Sequence, residues 1–378
     1  MSRSAKFGRT LLSLALASAV AAGCSASPGR QAASGAPATH PSGSAATLAW
    51  EHDVRQQVRV LTSAGYFPGV LVAVRRDGTS RTVTSGLARI HPREPLTAGY
   101  RFPIASLTKT LTAVVVMQLV DRHRLRLDAK VDTVLPGLLR YGNRITFAEL
   151  LSHRSGLPDP VNDPRYQKLL PQGRPPTSRE LVGAAARLPL DFPPGTKAEY
   201  SNTNFEVLGL AVQSLTRRHY EEVLRSRVFG PAGMTTASMG RTLTPGHPLL
   251  HGYELGHDVT GSIPYGLASG GAVMTATDVG LFDAALFSGR LVSAHSLQQM
   301  SVDRDGNVLG WDGYGYGLAM RGTPCGRALG HSGRLRGYVT EAWTLPSRDR
   351  TVVVVANRDE NGGNGDSLGG VIDSALCH

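Results

Sequence analysis

Phe102-Pro103-Ile104-Ala105-Ser106-Leu107-Thr108-Lys109 runs straight into the apolar stretch Thr110-Leu111-Thr112-Ala113-Val114-Val115-Val116-Met117. The pattern predicts a helix from Ser106 to His123. A serine and a lysine three positions apart at a helix start lie on one face, one turn from each other. An amine is thereby brought within reach of a hydroxyl. A serine hydroxyl is a weak nucleophile until a neighbouring base takes its proton, and Ser-x-x-Lys supplies both groups from one rigid element.

Outward from this point the chain divides into three parts. Upstream, Gly69 to Arg76 reads as a buried strand, Asp77-Gly78 as a turn, and Thr82 to Ala88 as the returning strand of a hairpin. Downstream, helices are expected at Thr146 to Ser152, Ser178 to Leu188, Phe205 to Arg217 and Tyr220 to Val228. A loop rich in Pro, Gly and Gln spans Asp159 to Thr177. A short strand at Gly271 to Thr275 and a helix at Asp278 to Ser288 follow. Strands return at Tyr338 to Thr344 and Thr351 to Ala356, and a closing helix runs from Leu368 to Leu376. Strands near both termini can pair in one antiparallel sheet. The predicted class is therefore α/β: a sheet drawn from residues 48–100 and 256–378, flanked by helices, with a mostly helical insertion over about 101–255.

Two further motifs bear on the Ser-Lys pair. Tyr200-Ser201-Asn202 follows the turn signal Pro193-Pro194-Gly195. A tyrosine serves as a base when nearby positive charge lowers its pKa, and Lys109 is a source of that charge. Asn202 offers an amide to hold a substrate carbonyl. Gly330-His331-Ser332-Gly333 stands just before the strand at Tyr338. His331 is a candidate to relay a proton or supply partial charge, or else a structural histidine. Ser332 is a candidate to bond a substrate carboxylate, and Gly333 lets substrate approach the backbone.

Together the three motifs resemble the signature of the penicillin-recognising serine hydrolases: Ser-x-x-Lys, a Tyr- or Ser-led motif, and Lys- or His-Thr-Gly. The resemblance extends from about Gly69 to Cys377 and includes Leu150 to Leu157, Tyr200 to Phe205, Ser269 to Val273 and Tyr314-Gly315-Tyr316-Gly317-Leu318. The chain is similar above all to secreted D-alanyl-D-alanine carboxypeptidases of Streptomyces, which carry cysteines placed like Cys325 and Cys377. Class C β-lactamases and family VIII esterases are more distant in pattern. The resemblance implies Ser106 as nucleophile, Lys109 and Tyr200 sharing base and acid duties, and His331 where many relatives have lysine. It implies an oxyanion hole from the backbone N–H groups of Ser106 and Arg334, and no cofactor. The expected activity is carboxypeptidase-like cleavage of cell-wall peptides through an acyl-enzyme. A β-lactamase, an esterase and a non-catalytic penicillin sensor are the alternatives. Two departures stand out. The carboxypeptidases have an arginine directly after Tyr-Gly-x-Gly-Leu, where this chain has Ala319, with Arg321 two residues on. Arg334 occupies a position usually held by threonine, and a guanidinium there is suited to clamp a carboxylate.

The ends of the chain place this chemistry. Arg3, Lys6 and Arg9 precede an apolar run from Leu11 to Ala22, which reads as an export signal. Ala21-Ala22-Gly23-Cys24 resembles a bacterial lipobox, so residues 1–24 are expected to be removed or lipidated at Cys24. Ser25 to Thr47, rich in Ser, Ala, Gly and Pro, suits a flexible linker, leaving 48–378 as the hydrolase domain. The expected location is outside the cell, secreted or tethered to the membrane's outer face. Hydrophobic residues at 41% and charged residues at 18% describe an ordinary globular protein. Loss of Arg3, Lys6 and Arg9 takes the net charge from +11 to +8, which suits work near an anionic wall or is a solvated basic surface. No basic run is interleaved with aromatics, so nucleic acid is not an expected partner. The expected partner is a cell-wall peptide or a β-lactam-like small molecule, met by a monomer. Cys325 and Cys377 remain beyond Cys24; in an exported chain they suggest one disulfide, with two buried thiols as the alternative. The twelve histidines include no His-Glu-x-x-His, so no metal site is expected. Gly365-Asp366-Ser367-Leu368-Gly369 matches a nucleophile elbow in letters only. It follows a polar loop where an elbow needs a buried strand, and Asp366 or Ser367 reads better as a helix N-cap.

Overall fold

The computed structural model describes residues 44–378 except 172–173, 241–246, 261–266, 305, 307–309 and 359–367. The signal, the lipobox at Cys24 and most of the expected linker lie outside the described residues. The linker's last residues do not behave as a spacer, because helix α1 already begins at Ser44 and runs to Ser63. Trp50, Val54, Val58 and Leu61 are buried along one face of it. That spacing of four, four and three is a helical stripe hidden among charged neighbours.

The hairpin forms where the sequence predicts it, as β1 (Gly69–Arg76) and β2 (Thr79–Arg89). Asp77 and Gly78 both have positive φ, 50° and 75°. This is the backbone a two-residue hairpin turn requires, and it suits aspartate and glycine. Two short strands follow, β3 (Glu94–Pro95) and β4 (Phe102–Pro103), and then α2 (Thr108–Asp121). Helix α2 is buried almost all round, so it reads as a continuous apolar run instead of an amphipathic one. Helices α3 (Phe147–Leu151) and α4 (Ser178–Ala185) each open on a capping box, Thr146 with Glu149 and Thr177 with Glu180.

The helical section continues through α5 (Asn202–Thr216), α6 (Tyr220–Leu224) and α7 (Gly230–Ala232) to short strands β5 (Ser238–Met239), β6 (Tyr253–Glu254) and β7 (His257–Asp258). It does not stop near residue 255. Strand β8 (Ala272–Met274) and helix α9 (Ala276–Phe287) form where a strand and a helix are expected, but together with helices α8 (Leu267–Gly270) and α10 (Ala294–Met300) they lie outside the eight-stranded sheet that residues from 256 on are expected to supply. The chain then builds β9 (Gly313–Tyr314), β10 (Ala319–Thr323), β11 (Gly326–Leu335), β12 (Tyr338–Leu345) and β13 (Arg350–Ala356), and closes with α11 (Gly369–Cys377). The N-cap position of α11 is Leu368; Asp366 and Ser367, where the sequence predicts a cap, lie outside the described residues.

Eight strands form one sheet in the order β3-β2-β1-β13-β12-β11-β10-β9. Strands from the two ends of the chain do pair, antiparallel, with Val70 opposite Ala356 and Val74 opposite Val352. Both faces of the sheet are covered, which explains the uninterrupted apolar character of β1 and β13. Leu71, Ala73, Val353 and Val355 join the core shared with the helical section. Their neighbours Val70, Val72, Val74, Val352 and Val354 join a second core with Trp50, Val54 and Leu376 from α1 and α11. Among the described residues no helix is long and apolar enough to cross a membrane.

The structure joins Cys325, in the turn between β10 and β11, to Cys377 at the end of α11, with Cα atoms 5.5 Å apart. The closed loop of 52 residues ties the sheet's edge to the last helix. Replacing both cysteines with serine is expected to cost about 4 kcal/mol in the chain-entropy description. Comparison of urea midpoints with and without reductant checks this; equal midpoints would mean that no bond forms in the protein.

Candidate active site

Ser106 is presented by a strained turn. Strand β4 pairs with β8, and the N–H of Ile104 donates to the carbonyl of Ala272 at 3.0 Å. Ala105 then adopts φ +48°, left-handed for a residue with a Cβ. Such a conformation costs on the order of 1–3 kcal/mol and persists only where its surroundings hold it. A single 3₁₀ turn over Ala105–Leu107 leads into α2. From the other side, β11 presses on the same backbone. A Cβ at Gly333 would lie 2.3 Å from the carbonyl oxygen of Ile104. Gly333 therefore admits a strand to the nucleophile turn; the expectation that it admits substrate assigned it a different neighbour. Strand β10 pairs with β11 only from Gly326 to Gly330, so His331 to Leu335 continue past its end, beside Ser106.

Lys109 is wholly buried on α2. Its Nζ lies 3.1 Å from Ser106 Oγ, 2.7 Å from Asn202 Oδ1 and 2.7 Å from the carbonyl oxygen of Ser269. Burial lowers its pKa to about 7, against the opposing pull of the carboxylates Asp159 and Glu206. A neutral amine has two N–H bonds, and the two short contacts to carbonyl-type oxygens take both. The lone pair is then left for Ser106. Asn202 is held in turn by Asp159, whose carboxylate accepts from Asn202 Nδ2 at 2.9 Å and from its backbone N–H at 3.2 Å. That contact fixes the amide's orientation, with oxygen toward Lys109. The amide expected to bind a substrate carbonyl is instead engaged at both ends within the protein.

Tyr200 OH donates to Ser106 Oγ at 2.8 Å. Burial pushes its pKa upward, and the lowering expected from Lys109 does not occur. The phenol is a proton donor in the resting site. Its ring packs on that of His153, with centroids 4.3 Å apart.

His331 is buried on β11, a strand of its own that precedes the one at Tyr338. Its Nδ1 donates to the carbonyl of Ser332 at 2.5 Å, and its Nε2 is 3.3 Å from Tyr314 OH. Burial and the nearby Lys109 lower its pKa to about 3. The ring is neutral at working pH and both nitrogens are occupied, so it neither carries charge nor reaches Ser106 as a relay. It packs edge-on against Trp311, with centroids 4.8 Å apart.

Ser106, Tyr200, Asn202, His331, Ser332 and Arg334 all line one cavity of about 790 Å³. Its outer wall comes from the loop Asp159 to Thr177, through Val161, Leu170, Pro171 and Arg174. Arg321 does not take part in this lining. It turns toward α11 and pairs with Asp373 at 3.2 Å, which removes it as an alternative carboxylate clamp. Ala319, where the carboxypeptidases have arginine, is fully buried on β10. The sequence reading passed over Asp159, Glu206 and Trp311. Glu206 carried a signal, as a lone acid amid Phe205, Val207 and Leu208 in a helix; Asp159 and Trp311 sit in loops without one.

Residues 54–376 match the sequence model of the Beta-lactamase family. The chain belongs to this family. It is accordingly a serine hydrolase of the β-lactamase fold. It is 30% identical over 327 residues to Penicillin-binding protein 4 of Amycolatopsis lactamdurans, covering 80% of this chain and 84% of that protein. It is 29% identical over 308 residues to a D-aminopeptidase of Cereibacter sphaeroides, covering 77% of this chain and 57% of the relative, so it spans little more than half of that protein. A D-stereospecific amidohydrolase from Streptomyces sp. shares the fold with a TM-score of 0.74 and 27% identity, over 86% of this chain and 98% of that one.

Proposed function

We propose that this protein is a carboxypeptidase-like acyl hydrolase acting on a peptide bond next to a free terminal carboxylate, of the D-alanyl-D-alanine type found in cell walls. One observation carries the choice. Among the described residues lining the cavity, the charged side chains are Arg174, which Glu180 holds in an ion pair, and Arg334, which lies in the field of the Glu341 carboxylate; no carboxylate lines the cavity itself. A substrate carboxylate meets complementary charge there. A free ammonium, which an aminopeptidase must hold, meets none.

In this reading Lys109 takes the proton of Ser106 Oγ as the oxygen attacks the substrate carbonyl carbon. The backbone N–H groups of Ser106 and Arg334 receive the oxyanion; such donors are worth about 3 kcal/mol each. Tyr200 gives its proton to the leaving nitrogen, and Lys109 returns the proton it took to Tyr200. Water then attacks the acyl-enzyme with the same base, and Ser106 is released. A β-lactam would be opened by the same first half of the sequence. His331 and Trp311 wall the site without titrating. The apolar segment after Arg9 and the cysteine at position 24 support work outside the membrane.

Arg334 decides the test. Arg334→Ala is expected to cost about 2 kcal/mol in kcat/KM, roughly thirtyfold, on an acyl-D-Ala-D-Ala peptide. A nitrophenyl ester without a carboxylate should lose little. Equal losses on both substrates would assign Arg334 a structural part. Faster turnover of a D-amino acid amide than of the peptide would favour the amidase reading that the D-aminopeptidase relatives suggest.

A further inference from the structure

Glu206 lies one turn beyond Asn202 on α5 and is wholly enclosed. Residues four apart share a helix face. Its carboxylate accepts from Ser178 Oγ at 2.5 Å, Ser269 Oγ at 2.7 Å, the Ser269 N–H at 3.0 Å and the Ala268 N–H at 3.4 Å. A carboxylate has about four acceptor sites, so this set fills it. The two backbone N–H groups can only donate. All four contacts are with neutral groups, three of them from the α8 segment that carries Ser269. The carbonyl of that same Ser269 accepts from Lys109 at 2.7 Å. Both groups that orient the Lys109 amine therefore depend on this stretch of α5. Asn202 belongs to the helix, and Ser269 is tied to it through Glu206.

We propose that Glu206 is a positioning residue for the reaction: it holds the Ser269 carbonyl that aims Lys109 at Ser106 and, with Asp159, keeps a carboxylate near the Lys109 amine. This rests on Lys109 being the base. The other charged and titratable groups facing Lys109 are few. Asp159, from the loop after α3, is the second carboxylate and acts from the Asn202 side. His153, at the end of α3, and His331, on β11, are held neutral by burial, and Tyr200 stays protonated. Glu206 and Asp159 are thus the two charges that favour the ammonium form of Lys109.

Two substitutions separate position from charge. Glu206→Gln keeps the volume and an acceptor oxygen for the Ser269 N–H and Oγ; its NH2 faces Ser178 Oγ, which turns to accept, and the long 3.4 Å bond from the Ala268 N–H is given up. The negative charge is lost. Glu206→Asp keeps the charge but draws the carboxylate back from Ser269. Full pH profiles of kcat/KM on the ester substrate read both. Removing a negative charge lowers the proton affinity of the amine, so Glu206→Gln should move the acid limb to lower pH by about half a unit or more, with its plateau within a few-fold of wild type. Glu206→Asp should leave the limb in place and lower the plateau by about tenfold. A limb that Glu206→Gln leaves unmoved, or a Glu206→Asp plateau equal to wild type, would overturn the proposal. A wild-type profile with no acid limb would count instead against Lys109 as base.

Discussion

Ser106→Ala is expected to remove turnover by a factor on the order of 10⁴ to 10⁶, the range for loss of a nucleophile that works as one unit with its base. Ser106 Oγ is the atom that both Lys109 Nζ and Tyr200 OH reach, at 3.1 and 2.8 Å. No methyl group can be acylated in its place. The fold should survive, because Lys109 keeps its bonds to Asn202 and Ser269 and the turn at Ala105 is held by β8 and β11. Incubation with benzylpenicillin followed by intact-mass measurement checks this. A penicilloyl adduct on the Ser106→Ala protein would refute the assignment, and loss of the wild-type melting transition would show that the serine is structural.

Lys109→Met is expected to lower kcat/KM by about 10³, within the 10² to 10⁴ that a positioned acid–base group contributes. Methionine fills the same buried space without charge. The pH dependence makes the prediction specific. Lys109 must be neutral to act, and its pKa is lowered to about 7. Wild-type activity should therefore rise about tenfold per pH unit up to near neutrality and level off above it. Tyr200, with its pKa raised, stays protonated across that window, and His331, at about 3, stays neutral. A single acid limb follows, and the residual activity of Lys109→Met should lack it. A limb that persists in the variant would transfer the titration to another group, with Asp159 the first to test.

The chemistry was legible in the sequence because it sits in local motifs. Ser106 and Lys109 share one helix start, Tyr200 and Asn202 share another, and His331 to Arg334 share one strand. What those groups are bonded to was not legible. The Tyr200 pKa rises because the phenol is packed away from bulk water, a consequence of every element that surrounds it. Asn202 faces inward because Asp159, 43 residues earlier, takes its NH2. Helix α1 escaped notice because its apolar stripe is four residues in a charged segment, β9 and β10 because they are short, and β11 because Gly326, Gly330 and Gly333 interrupt its pattern.

By itself the sequence determined the pairing of Ser106 with Lys109, the motifs that meet them, the hairpin and the antiparallel pairing of the chain's two ends. Short-range spacing dictates each of the first three, and the apolar strands near both termini dictate the last. The tertiary structure alone decided how deeply those residues are buried, what they are bonded to, and which of two arginines lines the cavity. Arg321 and Arg334 are equally plausible as letters, yet one is drawn to Asp373 on α11 and the other opens onto the cavity. Desolvation and long-range contacts set those outcomes, and both depend on residues that the chain brings together only when it folds.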